Sequence, residues 1–289
     1  MLRLFLILMA LVAAPVAAAA QTPFQSTRIA VEVRGHGPDV VLIPGLASTP
    51  EVWRRLAERL EDDHRVHLVA IRGFGPLAPG ANARGAVSAP VAAEIRRYIS
   101  SQNLRRPALI GHSMGGQLAL RVAADMSTQI DRVMVVDASP FFPGLVRADA
   151  TVGDIEPIAS IAYQAVQFLD DETLRSQGRS LGVELGGAAD TLFSAMGWQG
   201  GDRQVLAQGL YEVMTLDLRG RLRDIRAPVT VVYGSSTERN SPRRELGRLL
   251  RAAYANLPAA RYEPIAGAEH MVMIDQPTRF AAAVDRFLR

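Results

Sequence analysis

The chain has 289 residues, about half of them apolar, with a formal net charge of only +3; it is long enough to bury a large core in one domain, and its charge gives no basic stripe for nucleic acid. Every basic residue apart from the five histidines is arginine, so lysine nucleophiles and Schiff bases are excluded. There is no cysteine, which excludes disulfides, a lipid-modified cysteine and thiolate metal ligands.

Residues 1–20, "MLRLFLILMALVAAPVAAAA", carry one early charge at Arg3, an apolar stretch from Leu4 to Ala14 and a small-residue end at Ala18 to Ala20. This is the pattern of a secretory signal peptide cut near Gln21, and the strongly apolar run is short for a spanning helix. The expectation is a periplasmic or secreted protein with no stable membrane span after cleavage. The mature part, 21–289, is expected to form a single domain.

After the leader, "TRIAVEVRG" alternates apolar and polar residues and ends at Gly35 and Gly37, as a half-exposed strand does, and a hairpin with the next segment is expected. "DVVLIPG", "VHLVAI", "PALIG", "RVMVVDAS" and "PVTVVYGS" are short, continuous apolar runs, suited to strands buried on both faces. Between and after them, helical patterns run from Pro50 to Glu61, Ala89 to Ser101, Met114 to Met126, Pro242 to Asn256 and Thr278 to Leu288. The alternation predicts an α/β protein with a mostly parallel sheet flanked by helices. From about Phe141 to Leu216 it breaks into helical patterns alone, which reads as a lid above the carboxyl ends of the strands. Its Phe141, Phe142, Tyr163, Phe168, Phe193, Met196, Trp198, Tyr211 and Met214 supply lid core and a partly hydrophobic pocket for a small molecule.

Gly111-His112-Ser113-Met114-Gly115 fits G-x-S-x-G between a strand and a helix. A sharp turn there forces the serine into a strained conformation, small neighbours admit close backbone, and the helix N-terminus favours developing negative charge. Ser113 is therefore the candidate nucleophile. The attacked carbonyl needs donors for an oxyanion, and the backbone amides of Met114 and of Leu46, in the "VLIPGLAS" loop, are the candidates. Among His36, His64, His67, His112 and His270, only His270 stands after the last strand-like segment and before the final helix, where the order serine, acid, histidine puts the base.

With "GHSMGG", "IPGLAS", "RGFG" and the terminal "GAEHMVMIDQP", the chain resembles the α/β-hydrolase superfamily from about Thr27 to Arg289. The resemblance implies that fold, with a helical lid inserted after the sixth strand (about 141–216), and a serine hydrolase that cleaves a carboxylic ester or related acyl bond without a cofactor. A non-catalytic binding protein and a proton-transfer or lyase-type enzyme of the same fold are the alternatives. Many relatives carry an Asp three residues after the glycine that ends the seventh strand; here Gly234 is followed at that distance by Thr237. Two carboxylates are candidates for the acid behind His270: Asp137, at the end of the sixth strand, and Glu238, one residue past the empty position. Asp137 is preferred because a strand end is held more rigidly than a loop. Relatives that act as haloalkane dehalogenases or epoxide hydrolases attack with an aspartate at the elbow, so Ser113 argues against those activities. No metal site is expected, since "EDDHRVH" leads into a strand and lacks a ligand framework.

Overall fold

Among the described residues there are seven strands: the six segments above form β1 Ile29–Arg34, β2 Asp39–Ile43, β3 Arg65–Ile71, β4 Ala108–His112, β5 Arg132–Val136 and β6 Val229–Ser235, and β7 Arg261–Ala266, a largely exposed edge with no apolar run to mark it, is an addition. Their order in one sheet is β1-β3-β2-β4-β5-β6-β7, and only β1 runs antiparallel to its neighbour. The structure, a computed structural model, describes residues 23–168, 200–238 and 241–289. The leader and Phe193, Met196 and Trp198 lie outside the described residues.

The hairpin expected between β1 and β2 does not form; β1 pairs with β3 from Ile29 opposite Ile71 to Arg34 opposite Val66. Burial explains the choice. All five residues of β2 are buried, so it takes an interior place between parallel neighbours, whereas β1 has an exposed face and suits an edge. Gly35 and Gly37, at φ 70° and 110°, turn the chain aside, and a side chain at Gly35 would run into the carbonyl oxygen of Glu61.

Successive residues of the buried strands face opposite sides of the sheet. Val41, Ile43, Leu109, Val133 and Val135 meet one layer of helices, α2 (Ser88–Ser101) and α3 (Met114–Asp125), with Leu250 of α6 (Leu246–Ala253) further along. Val40, Leu42, Ile110, Met134 and Val136 meet the other, α1 (Arg54–Leu60) and α8 (Pro277–Leu288), where Trp53 stacks on Phe280. A one-turn helix, α7 (Val272–Asp275), precedes α8.

The chain leaves β2 for β3 on one side and returns to β4 on the other. The carboxyl ends of β2 and β4 therefore flank a switch in strand order, the place where an open α/β sheet leaves a crevice.

The insertion follows β5, because strands counted along this chain run one lower than in the numbering carried over with the resemblance. It holds α4 (Val152–Phe168) and α5 (Arg203–Thr215), which pack on each other with the Gln204 side-chain amide donating to the Tyr163 hydroxyl at 2.6 Å. Two attachments hold α5 to the body. The Asp202 amide donates to the Gly73 carbonyl of "RGFG" at 2.8 Å, and the Glu212 carboxylate accepts from the Val87 and Ser88 amides at the start of α2, at 2.8 and 2.6 Å. Between them Gly209 sits so close to Leu46 that an added Cβ would come within 2.7 Å of its Cδ1, which brings the lid helix down beside the loop after β2. Among the described residues, no helix is long and apolar enough to cross a membrane.

Candidate active site

Ser113 is the single residue between β4 and α3, with φ 52° and ψ −121°. Side-chain-bearing residues avoid this region at a cost of about 1–3 kcal/mol, and surrounding packing has to hold it. The neighbours do so. A Cβ on Gly111 would lie 2.2 Å from the Gly115 carbonyl oxygen, and one on Gly115 would lie 2.3 Å from that of Ile43. The Ser113 amide donates to the Val136 carbonyl at 3.0 Å, and its own carbonyl accepts from the Gly116 amide at 2.8 Å. Met114, as the first residue of α3, has an N–H with no acceptor inside the helix.

The loop after β2 lies against this elbow. A Cβ on Gly45 would stand 2.9 Å from His112 Nδ1 and 3.1 Å from Ser113 Cβ, so only glycine permits the approach. Leu46 is buried beyond it, and Ala47 turns the chain at φ 57°.

His270 comes from the loop between β7 and α7. Its Nδ1 lies 2.6 Å from Asp137 Oδ2, and with Asp137 ionised the proton of that pair sits on Nδ1, leaving Nε2 to accept another. Asp137 is buried at the end of β5 with φ 47°. Its other oxygen, Oδ1, accepts from Arg243 Nη1 at 2.6 Å and from the Gly234 amide at 3.1 Å. Burial alone would raise the Asp137 carboxyl, but the hydrogen bond from His270, with the His270 and Arg243 charges, outweighs it and holds the group below the ordinary aspartate range.

His112 ties the elbow to the histidine loop: its Nε2 donates to the His270 carbonyl at 3.0 Å, and the two rings lie 4.6 Å apart. Complete burial, helped by the nearby His270, drives His112 down to about 3, so it stays neutral. The sign of the resulting stability change follows. Unfolded His112 takes up a proton near pH 6.5 and folded His112 does not, so its contribution is full above that pH and is lost as pH falls toward 3. Urea unfolding is expected to show stability declining below pH 6.5, with His112 adding up to about 1.4 kcal/mol per pH unit. His112→Gln is expected to flatten that slope; an unchanged slope would remove His112 as its source.

The remaining candidates are placed elsewhere. Thr237 and Glu238 are exposed in the loop after β6, where the Glu238 amide is held by Ser236 Oγ at 3.1 Å. His36 is exposed; His64 lies 2.6 Å from Asp63, and buried His67 sits between Tyr98 and Asp39 at 2.6 and 2.9 Å. Among the described residues, no three metal-ligating side chains cluster. Sequence reasoning missed two parts. Arg243 is one of 32 basic residues and nothing local marks it, while the His112 bond to His270 spans 158 positions.

A sequence model of the alpha/beta hydrolase family matches residues 40–283. The chain is 28% identical over 274 residues to the pimeloyl-[acyl-carrier protein] methyl ester esterase of Aeromonas salmonicida, covering 90% of this chain and 99% of the relative. It is 25% identical over 272 residues to the enzyme of the same name from Nitrosospira multiformis, covering 90% and 97%. In fold it is similar to a carboxylesterase structure from Nitrososphaera gargenis, with a TM-score of 0.68 and 18% identity over 90% of this chain and 93% of that one, and to a hydrolase structure from Pseudomonas aeruginosa PA01, with a TM-score of 0.67 and 22% identity over 90% and 94%.

Proposed function

Because this chain belongs to the alpha/beta hydrolase family, we propose that it is a serine hydrolase in which Ser113, His270 and Asp137 cleave a carboxylic ester through an acyl-enzyme. The observation that carries the reading is the His270–Asp137 pair, 2.6 Å apart, tied through the His270 carbonyl to His112, the residue before a serine in the strained elbow conformation.

In the first half-reaction Ser113 Oγ attacks the ester carbonyl as His270 Nε2 takes its proton. Asp137 stabilises the imidazolium that results. The carbonyl oxygen, now negative, lies between the amides of Met114 and Leu46. Collapse breaks the ester C–O bond, and His270 returns the proton to the departing alcohol. Water, deprotonated by His270, then attacks the acyl-enzyme, and the acid leaves with Ser113 restored. The relatives' names, methyl ester esterases, support an ester with a small alcohol part, and the apolar lid side supports a partly hydrophobic acyl part. Turnover of short p-nitrophenyl esters, with an acyl-Ser113 adduct trapped by rapid acid quench and seen by mass spectrometry, is the expected result. A folded protein without turnover would favour a binding role or a proton-transfer or lyase-type reaction, and turnover without an adduct direct attack of water on the ester.

The leader pattern in residues 1–20 supports an activity exerted in the periplasm or outside the cell. N-terminal sequencing of the exported protein is expected to start at Gln21, and a chain retained in the cytoplasm with Met1 intact would contradict it.

A further inference from the structure

The loop after β6, which in many relatives delivers the acid, here delivers a cation. A short 3-10 turn, Pro242–Arg244, capped by Ser241 Oγ on the Arg243 amide at 3.2 Å, aims the Arg243 side chain inward. Its guanidinium is largely buried, with 14% of the side chain exposed, and contacts one member of the pair and the sequence neighbour of the other: Nη1 on Asp137 Oδ1 at 2.6 Å, and Nε on Oε2 of Glu269, which precedes His270, at 3.2 Å.

We propose that Arg243 is a positioning residue for the Ser113 chemistry: it fixes the Asp137 carboxylate against His270, so that the imidazole is held in the orientation from which it takes the Ser113 proton. This rests on the serine hydrolase reading and adds a fourth member to it.

Two physical arguments carry it. A carboxylate with one partner can rotate, but Asp137 has Oδ2 committed to His270 and Oδ1 committed to Arg243 and the Gly234 amide, so the orientation of His270 is fixed from behind. A full positive charge within hydrogen-bonding distance of Asp137 also helps keep that carboxyl ionised against its burial, the state in which it accepts from His270. The other groups around His270 do not replace it. His112 from the end of β4 is neutral, Ser113 is uncharged, Glu269 on the same loop is paired with Arg243, and Asp275 of α7 accepts from the Glu269 amide at 2.9 Å. Among the described residues, Arg243 is the cation at this acid.

The test compares wild type with R243Q and R243K in kcat and KM on a p-nitrophenyl ester, with fluorophosphonate labelling of each. R243Q is expected to lower kcat by about tenfold or more, with KM within about twofold, because the loss is of orientation in the reacting pair and not of substrate contact. R243K, which keeps the charge without the planar fork, is expected to restore only part of kcat. If R243Q fails to fold, R243K alone decides, through a reduced kcat with KM within about twofold. Wild-type kcat in R243Q, or wild-type kcat in R243K when R243Q does not fold, would overturn the proposal while wild-type turnover kept the hydrolase reading intact. A wild-type protein that neither turns over nor labels would overturn that reading itself, and Arg243's role with it.

Discussion

Ser113→Ala is expected to lower kcat for ester turnover by about 10⁴-fold or more, leaving only what the oxyanion amides and binding supply. Its unfolding free energy is expected to stay within about 1 kcal/mol of wild type. The reason is local. Alanine must adopt the same φ 52° and ψ −121° as serine, and the strain of that conformation falls on either side chain. The bonds that impose it, from the Ser113 amide to Val136 and from the Gly116 amide to the Ser113 carbonyl, are backbone bonds and survive the change. Loss of activity with an unchanged urea midpoint therefore separates a nucleophile from a structural serine. A variant that keeps more than about a tenth of wild-type kcat would mean that Ser113 is not the attacking group.

Asp137→Asn is expected to act on activity and stability together. Without a carboxylate, His270 loses the partner that selects its tautomer and stabilises its charge, at a cost of about 10³- to 10⁴-fold in kcat. The same change leaves the buried Arg243 guanidinium without its counter-charge on that side, and breaking a buried pair from one end costs about 3–5 kcal/mol. The stability loss should appear in chemical unfolding at neutral pH, where Asp137 is ionised. Glu238→Gln supplies the contrast: an exposed loop carboxylate should alter kcat by no more than about twofold and stability by about 0.5 kcal/mol at most. If the two variants exchanged these outcomes, Glu238 would be the acid and Asp137 a structural ion-pair partner.

The elbow was readable because its constraint is written locally. Gly111 and Gly115 are glycines since carbonyl oxygens lie where a Cβ would be, and a contact made by nearest neighbours leaves a short motif. The buried strands were readable for a similar reason, their continuous apolar runs matching full burial in β2 and β4. Partnerships between distant segments left no such trace. The β1 alternation marks an edge strand but does not say which strand it edges, and its pairing with β3 depends on β2 being needed inside. Asp137 and His270 are 133 positions apart, and that Asp137, not Glu238, lies beside His270 follows from where distant segments meet in space. Arg243 is harder still, because its significance comes wholly from the carboxylate it reaches, 106 positions earlier.

The central claim is that Ser113 becomes an activated nucleophile through His270. Its most direct test is reaction of the folded protein with a fluorophosphonate, followed by intact-mass measurement and peptide mapping. The account predicts one adduct per chain, located on Ser113, and its loss in His270→Ala or after denaturation. No adduct on a folded wild-type chain, or an adduct on another residue that survives Ser113→Ala, would contradict it.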